Sequence, residues 1–112
     1  MEVIAMNKDA DTINQRVDQL FTRHSRTRYW ITLVDDRYNH SFNFFFNILP
    51  QKQRHKSIPL HSLPSDDLER LELTVNAIHE HTKLTIEIRG FQGMRWPISG
   101  NVIQRKQRSD DA

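Results

Sequence analysis

Four of the six phenylalanines in this 112-residue chain stand within five consecutive positions, in SFNFFFN at 41–47. Aromatic density of that kind favours a strand, and a strand sorts its side chains by a two-residue period. Phe42, Phe44, Phe46 and Ile48 therefore share one face, while Asn43, Phe45, Asn47 and Leu49 share the other. The first face is core, because burying a phenylalanine contributes roughly 2 to 3 kcal/mol. The second face sets one aromatic between two amides, which makes Phe45 a candidate for stacking or docking.

What surrounds this strand defines the layers. DADTINQRVDQLFTRH at 9–24 places Ala10, Ile13, Val17, Leu20 and Phe21 at three- and four-residue spacing, an amphipathic helix with Asp9 or Asp11 as N-cap. YWITLVDD reads as a strand, RYNH as a turn, and SFNFFFNIL as the return strand, ending at Pro50. Asp35 and Asp36 at this hairpin suit a turn, since Asp bonds nearby backbone. QKQRHKSIPLHSLP at 51–64 is polar, basic and interrupted by Pro59 and Pro64, and reads as a surface loop.

Ser65, ahead of Asp66 and Asp67, begins a second helix over 66–80, with Leu68, Leu71, Val75 and Ile78 as its buried stripe. KLTIEIRG at 83–90 alternates, with Leu84, Ile86 and Ile88 on one face and Lys83, Thr85, Glu87 and Arg89 on the other. Gly90 ends that strand, and the stretch from Phe91 to Lys106 suggests one more, with Pro97 marking an edge. The expected fold is α+β, a single domain over 1–112 in the order α-β-β-α-β-β. Both helices pack on one face of an antiparallel sheet, and residues 1–8 and 107–112 form flexible tails.

Several function classes drop out. With no cysteine there is no disulfide, thiolate metal site or Cys nucleophile. The three glycines, Gly90, Gly93 and Gly100, form no phosphate-binding loop, so no nucleotide cofactor is expected. His79 and His81 sit two apart on a helix, where their rings point to nearly opposite sides, and suit a helix C-terminus better than a metal. No cofactor, metal or catalytic residue is assigned, and the chain reads as non-enzymatic. No apolar run approaches the roughly 20 residues of a membrane helix, and no secretory signal opens the chain. No membrane partner and a cytoplasmic location are expected.

The net charge of +2 conceals segregation along the chain. Arg37 to Ser65 contains no acid, Asp66 to Glu80 carries five acids against Arg70 alone, and the bases return after Lys83. The candidate binding residues follow from this pattern and from the strand faces. Arg23, Arg26 and Arg28 leave the first helix, Lys52, Arg54 and Lys56 lie in the long loop, and Arg105 and Lys106 lie near the C-terminus. If Tyr29, Ile31 and Leu33 point to the core, Trp30 and Phe45 share the outer sheet face with Lys83, Thr85 and Arg89.

Such a face offers π surfaces for bases and cations for phosphates. It equally suits a protein interface, including that of a homodimer. The leading expectation is a small regulatory or accessory protein that binds nucleic acid through basic loops and this sheet face. The alternative is an adaptor or inhibitor that docks a protein partner through Trp30 and Phe45, with the acidic second helix meeting a basic surface. In a third arrangement the 51–64 loop or the C-terminal segment covers the outer face and makes it core.

Overall fold

A computed structural model describes residues 7–104. The first helix, α1 (Lys8–Leu20), is capped by Asn7, whose side chain accepts from the Ala10 N–H, rather than by Asp9 or Asp11. Asp9 and Asp11 instead sit in the first turn, at the positive end of the helix dipole. The helix stops at Leu20, short of the expected residue 24, and Phe21 and Leu20 lie half-buried against the core. A helix of this length is marginal alone, and burial of Ala10, Ile13 and Val17 holds it in place.

Strands β1 (Thr27–Asp36) and β2 (Ser41–Pro50) form the expected antiparallel hairpin, with Ile31 opposite Phe46 and Leu33 opposite Phe44. Asp36 receives the Asn39 backbone and side-chain N–H groups, as turn chemistry requires. The long loop is the first correction. Lys56–Leu63 is a third strand, β3, pairing antiparallel with β2 at the sheet edge. Pro59 is tolerated there because an edge strand needs only one row of ladder bonds. The register shifts between Phe44, opposite His61, and Phe45, opposite Pro59, which leaves Leu60 as the extra residue of a bulge. Leu60 is fully buried, and its carbonyl oxygen accepts from the Arg16 guanidinium of α1.

The second helix, α2 (Leu68–His81), starts two residues later than expected. Asp67 is its N-cap, and Ser65 accepts from the Asp67 N–H. Leu71, Val75 and Ile78 are buried as the spacing predicts, and His79 and His81 occupy its last turn. The acidic block is not uniformly a surface, however. Glu72 is 4% exposed, and its two oxygens accept from the Ile98 and Ser99 N–H groups at 2.7 and 3.0 Å.

After α2 the chain enters β4 (Ile86–Arg89), which pairs with β1 in parallel, giving the sheet order β3-β2-β1-β4. The all-antiparallel sheet is thus corrected to a mixed one, and the order to α-β-β-β-α-β. The two corrections have one cause. Three antiparallel strands finish running in the direction of β1, so a helix that carries the chain back delivers the next strand parallel to β1; after two strands it would have arrived antiparallel. The helical crossover from β3 to β4 is what parallel strands require.

Among the described residues, the expected final strand does not form. Residues 91–104 make a short excursion held by isolated bridges, Arg95 to Val102 and Gln92 to Gln104. Its turn closes with the Trp96 N–H on Asn101 and the Gly100 N–H on Trp96. Phe91 is buried and stacks on Phe42 at 5.8 Å, while Met94 and Trp96 pack beside the core. Gly90, at φ 87°, makes the exit from β4; a Cβ there would lie 3.1 Å from the Asp35 carbonyl oxygen.

The core joins Ala10, Ile13 and Val17 of α1 and Leu71, Val75 and Ile78 of α2 to the inward residues of the sheet, with Phe42, Phe44 and Phe46 at its centre. The Asp9 carboxylate locks the layers together at one end. It accepts from His61 of β3 at 2.8 Å and pairs with Arg70 of α2 at 2.9 Å. Of the expected tail over 1–8, Asn7 and Lys8 belong to α1 and its cap; the remainder, and the tail over 107–112, lie outside the described residues. Among the described residues, no helix is long and apolar enough to cross a membrane.

Candidate nucleic-acid interface

Because Ile31 and Leu33 turn to the helices, the alternate residues of β1 turn away from them. Register then builds the outer surface row by row. Trp30 lies opposite Asn47 and Arg28 opposite Leu49, while Thr32 has Phe45 on one side and Glu87 on the other. Arg89 lies beside Val34. Together with His55, Ser57 and Thr85, these residues line an open groove of about 870 Å³. Trp30 and Phe45 thus share one outward face with Arg28 and Arg89. Phe45 is half-buried, whereas Phe44 and Phe46 beside it are fully buried.

A hydrogen-bond chain runs across this surface. Glu87 Oε1 accepts from Trp30 Nε1 and from Thr32 Oγ1, each at 3.1 Å, and Glu87 Oε2 pairs with Arg89 at 3.0 Å. Thr32 Oγ1 in turn accepts from Asn47 Nδ2 at 2.7 Å, and the same amide nitrogen lies 3.2 Å from the Trp30 carbonyl oxygen. Asn47 Oδ1 is bonded to His55 Nε2 at 2.9 Å. Partial burial raises the Glu87 pKa, but the hydrogen bonds from Arg89, Trp30 and Thr32 outweigh it and hold the carboxyl below its ordinary value.

The Trp30 indole is engaged on its faces as well. The His55 imidazole stacks on it at 5.1 Å and 25°, and the Arg28 guanidinium lies 5.5 Å from its centroid. The loop between β2 and β3 therefore covers one spot of the outer face and leaves the rest open.

At the end of the β1–β2 pair, the Gln51 N–H bonds the Arg26 carbonyl oxygen at 2.8 Å. Arg26 and Lys52 both adopt left-handed backbone, at φ 58° and 62°, and line a shared depression, with Arg28 at its rim. Three of the expected cations thus come together from the helix exit and the loop. Arg89 meets Arg28 in the groove, whereas Arg23, Arg54, Lys56 and Lys83 stand apart from these three. Arg23 lies over the Phe21 ring at 5.5 Å. Arg54 is exposed in the turn before β3, and Lys56 is exposed at the start of β3, opposite Ile48. Lys83 is exposed but precedes β4 and does not line the groove, so the face it was expected to share is formed without it. Arg105 and Lys106 lie outside the described residues.

Glu87, Thr32, Asn47 and His55 were not singled out from the sequence. Glu87 was legible, since strand alternation sets it between Thr85 and Arg89 on the outward face. His55 carried no signal, because its position over Trp30 depends on a loop folding back across the sheet. Among the described residues, no group of three or more His, Asp or Glu side chains is arranged to hold a metal ion. Comparisons with protein-family models, with curated proteins and with solved structures find no match to this chain.

Proposed function

We propose that this protein is a small non-enzymatic accessory or regulatory protein that binds single-stranded nucleic acid across the open face of its sheet. The observation that carries the reading is the meeting of aromatic and cationic side chains on the sheet face turned away from the helices. Arg28 and Arg89 flank Trp30 and Phe45 on the uncovered face, and Arg26 and Lys52 extend the cationic edge beyond the strand ends. The acid-rich helix α2 packs in the opposite layer. Phosphates thus meet bases on the side where aromatic surface is available, and the one acid among the described residues that lines the groove, Glu87, is paired with Arg89.

A single strand fits better than a duplex because the binding surface is a sheet with both helices behind it, so that among the described residues no helix lies on that face to enter a major groove. Binding rather than catalysis fits the Glu87 carboxylate, which is held ionised by three donors and shifted away from the near-neutral pKa that a general acid or base needs.

Fluorescence anisotropy with labelled single and double strands at several salt concentrations tests the proposal. Tighter binding to single strands is expected. The combined variant Arg26→Gln, Arg28→Gln, Lys52→Gln should flatten the slope of log affinity against log salt by about 2, the share of three phosphate contacts at roughly 0.7 each. Undetectable binding of either strand type by the unaltered protein at low salt would sink the proposal and favour a protein partner for the same face.

A further inference from the structure

His55 belongs to the exposed turn between β2 and β3, yet its ring is fixed twice, by stacking on Trp30 and by the bond to Asn47. The direction of that bond follows from the network. Asn47 uses its amide nitrogen toward the Trp30 carbonyl oxygen and Thr32 Oγ1, so its Oδ1 is the acceptor, and His55 Nε2 carries the proton. Asn47 is only 2% exposed, and His55 is the one partner its Oδ1 has among the described residues. Moving the imidazole away would uncover an indole face and orphan a buried amide oxygen.

Whatever replaces His55 must therefore bring a flat ring for Trp30 and an in-plane N–H for Asn47. Nucleobases carry both features, and sugars and phosphates carry neither. We propose that the Trp30–Asn47 position is a base-stacking subsite, that His55 occupies it in the free protein as an internal stand-in for a base, and that binding displaces the His55 loop. The inference rests on the nucleic-acid reading above and adds to it a position, a ligand chemistry and a moving part. Lys52 and Arg54 lie on the same turn, so displacing the loop also redirects two cations that a strand's phosphates can capture.

The test compares the unaltered protein with His55→Ala, using a short oligothymidylate and an abasic phosphodiester of equal length. His55→Ala should bind the oligothymidylate about tenfold more tightly, the scale of one stacked base released from competition, with no change for the abasic chain. In the unaltered protein, the His55 ring protons, shielded by the indole ring current, should move downfield in NMR spectra on adding oligothymidylate and stay in place with the abasic chain. If the unaltered protein binds but His55→Ala binds no tighter, or the His55 protons do not move, the subsite is overturned while the broader reading stands. If neither protein binds either probe, the broader reading is overturned as well.

Discussion

Trp30 Nε1 donates to Glu87 Oε1 at 3.1 Å across 57 residues of sequence. The contact exists because β4 runs parallel to β1 and sets Glu87 opposite Thr32, one register step from the indole. Replacing Glu87 with Ala removes the acceptor for Trp30 and Thr32 and the counter-ion of Arg89. The Glu87 side chain is 40% exposed, so solvent takes over part of the loss. Glu87→Ala should cost about 1 to 2 kcal/mol in urea unfolding, with Glu87→Gln closer to the unaltered protein. Equal stability for Glu87→Ala would show that the network does not hold the face together.

Asp9 makes acid stability a readout of layer packing. Burial raises its pKa, but the hydrogen bonds and charges of His61 and Arg70 outweigh that and lower it. A carboxyl with a lowered folded-state pKa contributes stability that is complete above its unfolded value, near pH 4, and is lost as pH falls through the folded value. Asp9→Asn should be less stable than the unaltered protein at neutral pH, and the two stability curves should converge as pH falls below the ordinary carboxylate range and through the lowered folded-state value. Parallel curves across that range in thermal melts would remove Asp9 as the source.

Phe44 and Phe45 are adjacent in sequence and opposed in role. Phe44 is fully buried between the sheet and the helices, and Phe44→Ala should destabilise by roughly 3 to 5 kcal/mol. Phe45 is half-buried on the outward face. Phe45→Ala should change the melting temperature much less and weaken binding to single strands by about 1 kcal/mol or more. Comparable destabilisation by both would mean that the outward face is core.

Glu72 is a buried carboxylate whose partners among the described residues are backbone N–H groups rather than a cation. Glu72→Ala should cost about 2 to 3 kcal/mol, as for charge-assisted hydrogen bonds lost from a buried site. Amide exchange at Ile98 and Ser99 should accelerate more than at Leu33 in β1. Uniform acceleration through all elements would instead point to global loosening without a specific role in that turn.

Local spacing alone determined both helix stripes, the β1–β2 hairpin and the inward set Phe42, Phe44 and Phe46, and it paired Trp30 with Phe45 on the outer face on the condition that Ile31 and Leu33 face the core. Each of these depends on a period of 2 or 3.6 that adjacent residues either match or do not. Tertiary structure alone decided the strand at Lys56–Leu63, because Pro59 breaks the local pattern and only an edge position beside a bulge accommodates it. From that strand followed the parallel sense of β4, and with it the meeting of Glu87 with Trp30. The placement of His55 over Trp30 was settled in the same way. A stacked ring and a bond to Asn47 bring together residues from a turn and two strands, and no sequence period records which side of a sheet a loop will cross.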